Sequence, residues 1–408
     1  MYFITLKAVP FHPDEATYLY MSDDFTQILQ DPLSMAYQPG QSMDLRTHYR
    51  LMDPPITRLY LGFARAITAT PSIQNDWDWT LTWQENLTGG NLPSAEAILI
   101  GRIALGLFLP FICAFIYRTA TSLMGHWPAI FTTGLFAINP LVLLHFRRNM
   151  AEAMLLFFTT WFLMLLSDRK KHSIMLPVIF TLAINSKQTA IFLAPAYAIY
   201  FFRCISQSPK REWGKFIGSF LILPILLTFL VNPVAWKAPI ATIRAAITER
   251  NTLLQGNEYF LQEYQPEVLH QNTAERFLTV IYHTAFEPLA LDDFSNYRET
   301  QQSSFDQYNN NKIHNHDRNL LVGSISVIIV ISSVLMQLLQ LWKQRKRKPN
   351  KNFSWVFIHI TFFSVLFGLS ILSSIYQRYV VILIPLTSLY TVWFVDSIIK
   401  SIKKQPVY

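Results

Sequence analysis

The chain has 408 residues, of which 51% are hydrophobic, 14% aromatic and only 15% charged, and its net charge is +8. A soluble protein of this size would carry about 25% charged residues, so the composition excludes an ordinary water-soluble enzyme and points to lipid as a solvent. The basic residues fall in short clusters between apolar runs, which makes them topology signals and excludes a nucleic-acid surface.

The first nine residues, "MYFITLKAV", are too short and too interrupted by Lys7 for a cleavable signal peptide. Residues 13–30 read as one helix: Pro13 suits the first position, and Tyr18, Met21, Phe25, Ile28 and Leu29 make an apolar stripe. A second helix is expected from Pro55 to Ala69. Both are amphipathic enough to lie along a membrane surface. Asp14 and Glu15 open the first helix, where acidic side chains also complement the helix dipole without any further role.

Spans of roughly 20 apolar residues are expected at 98–118, 127–145, 151–167, 215–231, 320–342, 353–373 and 376–397. The stretch 174–202 is too long for one span and is interrupted by "NSKQT". It reads as two short helices, 174–186 and 189–202, meeting at 185–189, because a lysine at mid-bilayer is costly. With that hairpin, the basic clusters Arg169–Lys171, Lys210–Lys215, 342–351 and Lys400–Lys404 all fall on one side, the cytoplasm by the positive-inside rule. The opposite face receives 10–97, the 147–152 turn, the 185–189 vertex, the long loop 232–319 and the turn before the last helix. An external 10–97 calls for a preceding helix, so either the chain begins within its first span or its start is set too far downstream. The resulting divisions are 1–97, 98–231, 232–319 and 320–408. Cys113 and Cys204 would lie at different membrane depths, and no disulfide is expected. His314 and His316 could bind a metal, although a solvated loop explains them as well. The Asn86-Leu87-Thr88 sequon matters only in a compartment that adds oligosaccharides.

Five short stretches carry a resemblance. "PDEATY" at 13–18 resembles the Asp-Glu-x-x-Tyr signature of the GT-C glycosyltransferases, which use lipid-linked sugars and include protein O-mannosyltransferases and aminoarabinose transferases. "DPPITRLYL" at 53–61 looks like their His/Lys-Pro-Pro-Leu stretch, "RRNMAEAMLLFF" at 147–158 their Arg…Asp-x-x-Leu-Leu-Phe-Phe segment, "NSKQTAIFLAP" at 185–195 their lysine-bearing hairpin, and "YQRYVVILIP" at 376–385 their Arg-Tyr…Pro helix start. All come in family order and on the external face. Asp53, where relatives carry His or Lys, and Glu152, where Asp is usual, depart from the pattern, as does the lack of a large soluble domain after the last span.

The resemblance implies an all-α integral membrane protein with a GT-C-type multi-span bundle. It also implies a membrane glycosyltransferase with a polyprenyl- or dolichyl-phosphate-sugar donor and a protein, lipid or glycan acceptor, working at the outer leaflet. A bacterial plasma membrane and the endoplasmic reticulum place the same side outward, and the lack of extra soluble domains favours the bacterial one. Asp14 is the candidate base, Glu15 a supporting acid and Glu152 a second acid facing Asp14. Arg58, Lys187, Arg378, Arg147 and Arg148 are candidate donor-phosphate ligands. Asp14 and Glu152 together could hold a divalent cation, as in some relatives. Simpler accounts of these cations are a lysine reaching water at a hairpin tip and an arginine anchored at the interface. A transporter or flippase, or a catalytically silent relative, is the competing reading. Transporters, however, show repeated halves and ionisable groups within several spans, neither of which is evident here.

Overall fold

A computed structural model of the protein describes residues 2–168, 172–264, 269–270, 272–292, 298–311, 318–344, 353–372 and 374–403. Arg169–Lys171, residues 345–351, Lys404, His314 and His316 lie outside the described residues. The described residues form helices and loops and no strand.

The first segment runs α1 (Pro13–Met21), α2 (Asp24–Gln30), α3 (Leu45–Met52), α4 (Ile56–Ile67) and α5 (Trp83–Thr88). The helix expected over 13–30 is two helices. The Ser22 hydroxyl donates to the Leu19 carbonyl at 2.5 Å, and the corner is pressed against α4 at Gly62, where a β-carbon would fall 2.1 Å from the Ser22 carbonyl oxygen. The apolar stripe continues through the break, so periodicity could not reveal it. Asn86 is fully buried and fastened to Asp78, whose backbone N–H it accepts and whose carbonyl it donates to, both at 2.9 Å. The sequon asparagine is therefore an internal strut.

The bundle follows: α6 (Ala95–Gly106), α7 (Leu109–Met124), α8 (His126–Ala137), α9 (Pro140–His145), α10 (Glu152–Ser167), α11 (Met175–Ile184), α12 (Ala194–Ser206), α13 (Trp213–Ile217), α14 (Leu223–Val231), α15 (Pro239–Tyr264), α16 (Thr273–Ala285), α17 (Arg298–Asn309), α18 (Leu320–Gln344), α19 (Phe353–Ser370) and α20 (Ile384–Ile402). Among the described residues five helical stretches are long and apolar enough to cross a membrane, Ala95–Met124, Gln188–Ser206, Lys210–Val231, Leu320–Lys343 and Gln377–Ile402, with shorter apolar helices at Glu152–Ser167, Met175–Ile184 and Ser354–Ser370. The span expected over 127–145 is interrupted at Asn139-Pro140, because proline cannot continue the preceding helix and instead opens α9.

Thirteen of the sixteen residues of α10 are buried, which makes it the central helix. In contrast α14 buries none, and Ile225 (70% exposed) and Leu230 (62%) present apolar surface of the kind a lipid bilayer covers. The expected hairpin is present: Phe180 of α11 stacks on Tyr197 of α12 at 4.2 Å, and the His172 backbone N–H donates to the Tyr200 hydroxyl at 2.9 Å. Its vertex lies beside the start of α10, and its legs run toward the far end, where Ser354 donates to the Ser167 carbonyl at 3.1 Å. Lys210, Arg211 and Lys400 lie at that far end. No disulfide joins Cys113 and Cys204.

Candidate active site

The acidic stretch 14–24 divides into one site residue and three internal ties. His12 caps α1, accepting from the Asp14 backbone N–H at 3.2 Å, while Glu15 accepts from the His12 backbone N–H at 3.2 Å. This capping box turns Glu15 inward, where it is fully buried. Its Oε1 accepts from Arg102 Nη2 at 2.6 Å, and its Oε2 accepts from Arg102 Nε and from the Asn149 backbone N–H, both at 2.9 Å. Burial alone would raise the Glu15 pKa, but Arg102 overrides it and holds the carboxyl below its ordinary value. Glu15 therefore binds α1 to α6 and to the turn before α10. Asp24, equally buried, takes Arg50 Nη2 at 2.6 Å and Arg58 Nε at 3.0 Å, and Asp23 takes Arg46 at 3.0 Å and Arg65 at 2.7 Å.

Three of the five cations nominated for phosphate binding are held internally as well. Arg58, besides meeting Asp24, donates to the Asp53 carbonyl at 2.8 Å. Arg147 donates to the Leu143 carbonyl, the Thr5 hydroxyl and, at 3.2 Å, the Tyr308 hydroxyl. Arg148 donates to the Leu291 carbonyl at 2.5 Å. Arg147 and Arg148 are both 1% exposed.

Asp14, Glu152, Lys187 and Arg378 come together. Asp14 ion-pairs with Arg378, and Glu152 with Lys187. Tyr379 joins the two pairs: Lys187 Nζ lies 4.9 Å and Arg378 Cζ 5.6 Å from its ring centroid. Asp14 keeps 26% of its side chain exposed, whereas Glu152 keeps 1%. Burial lowers the Lys187 pKa, opposed by Glu152, and both Arg378 and Asp14 are within electrostatic reach of it. These groups come from the start of α1, the start of α10, the α11–α12 vertex and the 3-10 turn Gln377–Leu383, all at one end of the bundle. Two hydrogen bonds fix the vertex to α4: the Ile56 backbone N–H donates to the Asn185 carbonyl at 2.9 Å, and the Thr57 hydroxyl to the Ser186 carbonyl at 3.4 Å.

Two further side chains face this cluster. Burial raises the Tyr18 pKa well above its ordinary value, and the charges of Asp53, Glu152 and Asp14 add to it. The Asp53 carboxyl is raised chiefly by burial and lies within electrostatic reach of Arg250, Arg58, Asp14 and Lys187. Tyr18 is the tyrosine of "DEATY", so its signal was in the motif; Asp53 was visible as the acid before two prolines. Arg102, which holds Glu15, was also detectable as a charge inside the apolar run 98–117.

The acids fit a divalent ion poorly. Asp14 and Glu152 are each already answered by a protein cation, and among the described residues no group of three His, Cys, Asp or Glu side chains is placed to hold one.

Residues 78–236 match the model of the family described as dolichyl-phosphate-mannose-protein mannosyltransferase. That stretch includes Glu152 and Lys187 but not Asp14, Asp53 or Arg378. No curated protein sequence matches the chain. Among solved structures, ArnT from Cupriavidus metallidurans bound to undecaprenyl phosphate superposes with a TM-score of 0.50 at 12% identity, over 97% of this chain and 58% of that one. The chain thus spans somewhat over half the length of this structural relative, and its membrane fold, helical over the described residues, is of the GT-C type.

Proposed function

We propose that the protein transfers a sugar from a polyprenyl-phosphate-linked donor to an acceptor hydroxyl or phosphate, with Asp14 as the base. The observation that carries this reading is the pair of acid–cation couples, Asp14–Arg378 and Glu152–Lys187, flanking one tyrosine ring. The matched family and the solved relative, whose title names undecaprenyl phosphate, support the donor class. Lys210, Arg211 and Lys400 at the far end of the bundle support an extracytoplasmic site, which we propose lies in a bacterial plasma membrane.

In the resting protein Arg378 neutralises Asp14. A donor phosphate is a stronger, multidentate acceptor for a guanidinium than one carboxylate oxygen, so it competes with Asp14 for Arg378 and makes the Asp14 carboxylate a better proton acceptor. The acceptor O–H then adds to the anomeric carbon as the bond from that carbon to the phosphate oxygen breaks, and the proton passes to Asp14. The leaving polyprenyl phosphate gains one negative charge. It therefore needs cations rather than an acid, a need that Arg378 and Lys187 meet. Attack opposite the departing phosphate inverts the anomeric centre, as the family resemblance implies. Glu152 keeps Lys187 charged and placed despite its burial.

The test is transfer of a radiolabelled sugar from a polyprenyl-phosphate donor in membranes holding wild type or Asp14→Asn. A normally inserted Asp14→Asn protein with about 10²–10⁴-fold slower transfer supports the reading. Equal transfer by the two proteins, or none from any donor by wild type, refutes it.

A further inference from the structure

A carboxylate outside the proposed chemistry connects the two helices that present Asp14 and Asp53. Asp76, on the strip between α4 and α5, is 7% exposed. Its Oδ2 accepts from the Tyr49 hydroxyl at 2.6 Å and the Thr17 hydroxyl at 3.1 Å, and its Oδ1 accepts from the Trp77 backbone N–H at 2.8 Å. Thr17 stands one helical turn after Asp14 on α1. Tyr49 stands one turn before Asp53 on α3, and the Asp53 backbone N–H donates to the Tyr49 carbonyl at 2.8 Å. The strip itself is stiff: Trp77 packs on Phe11 at 6.1 Å and Trp83 at 5.4 Å, and Asp78 is held by Asn86.

We propose that Asp76 is a positioning residue which, through Thr17 and Tyr49, sets the separation of Asp14 and Asp53 across the site. The inference rests on the transferase reading for its effect on rate, but not for its effect on the two helices. All three partners of Asp76 are donors, so the arrangement needs a group that only accepts, a carboxylate. The titratable groups facing it are Tyr49 from α3 and Asp14 from α1. Burial pushes its pKa up to about 6, with the Asp14 charge adding to the rise. Below that pH a proton on either oxygen displaces one of the donors. The linkage sign separates this role from a structural one. A carboxyl whose folded pKa lies above its unfolded value makes the folded state bind protons more tightly, so it adds stability as pH falls through 6 and loses it as pH rises. Positioning predicts the opposite trend for rate.

The experiment uses the full chain in nanodiscs with Asp76→Asn, Asp76→Ala, Tyr49→Phe and Thr17→Val. Transfer is measured per folded molecule across about pH 5–8, alongside hydrogen exchange of peptides covering 13–21 and 45–53. Asp76→Ala is expected to lower kcat about 10–100-fold with little change in donor KM. Asp76→Asn, which retains one acceptor oxygen, should recover part of the rate and remove the wild-type step near pH 6. Asp76→Ala should also speed exchange in both peptides, whether or not transfer is detected. Should wild type transfer nothing, the transferase reading fails and exchange alone decides the inference. Wild-type exchange in Asp76→Ala overturns it, as do unchanged kcat and pH profile in both Asp76→Asn and Tyr49→Phe.

Discussion

Replacing Glu15 by alanine is predicted to destabilise the protein more than replacing Asp14, although the two are adjacent in sequence. Glu15 is fully buried and gives both oxygens to Arg102, at 2.6 and 2.9 Å, while also accepting two backbone N–H groups. Removing one partner of a buried, hydrogen-bonded ion pair costs about 3–5 kcal/mol, because the remaining charge stays desolvated. Arg102 cannot swing into water, since it also donates to the Leu6 and Val9 carbonyls at 2.8 Å each. Replacing both partners, Glu15→Ala with Arg102→Met, removes the stranded charge and should restore part of the loss, giving a coupling energy of about 2 kcal/mol. The assay is the thermal midpoint in one detergent for wild type, both single variants and the double variant. The pH dependence follows from the lowered folded pKa of Glu15. Its stabilisation is complete above the ordinary glutamate pKa and is lost as pH falls through the lowered value, and Glu15→Gln should flatten that acid limb. If Glu15→Ala melts within about a degree of wild type, or if the cycle is additive, the pair is not the tie described here.

Lys187→Met should weaken donor binding and leave Glu152 buried without its cation, so Glu152→Gln/Lys187→Met should fold better than Lys187→Met while remaining inactive; a double variant that transfers sugar would refute the assignment. At Gly62, alanine puts a β-carbon 2.1 Å from the Ser22 carbonyl oxygen. A loss of about 1–3 kcal/mol from overpacking is expected in the melting midpoint, and no loss would contradict the close corner. Asn86 should carry no glycan when the chain is expressed in a cell that glycosylates sequons, and Asn86→Gln should lower the melting midpoint; a mass shift at Asn86 in the folded protein would contradict its burial.

Sequence patterning reached most of the apolar helices and the hairpin because both are written locally, although it ran 127–145 through the break at Asn139-Pro140. Apolar runs of membrane length, the Lys187 interruption and the basic clusters are read one segment at a time. It reached Asp14, Glu152, Lys187 and Arg378 through short motifs, which the fold gathers at one end of the bundle. It could not separate Asp14 from Glu15, or Arg378 from Arg147, because what distinguishes them is tertiary: Glu15 turns toward Arg102, eighty-seven positions away, and Arg147 toward Tyr308. The break at Ser22 was hidden for a similar reason. The stripe through Tyr18, Met21 and Phe25 continues across it, and the cause, Gly62, lies on another helix.

The gathering of Asp14, Glu152, Lys187 and Arg378 also bears on biosynthesis. Asp14 is synthesised 364 residues before Arg378, so the nascent protein holds this acid without its counter-charge until the turn Gln377–Leu383 has been made. Under the proposed assignment the cluster is completed all at once, and a product that stops short of Arg378 would lack one of its two acid–cation couples.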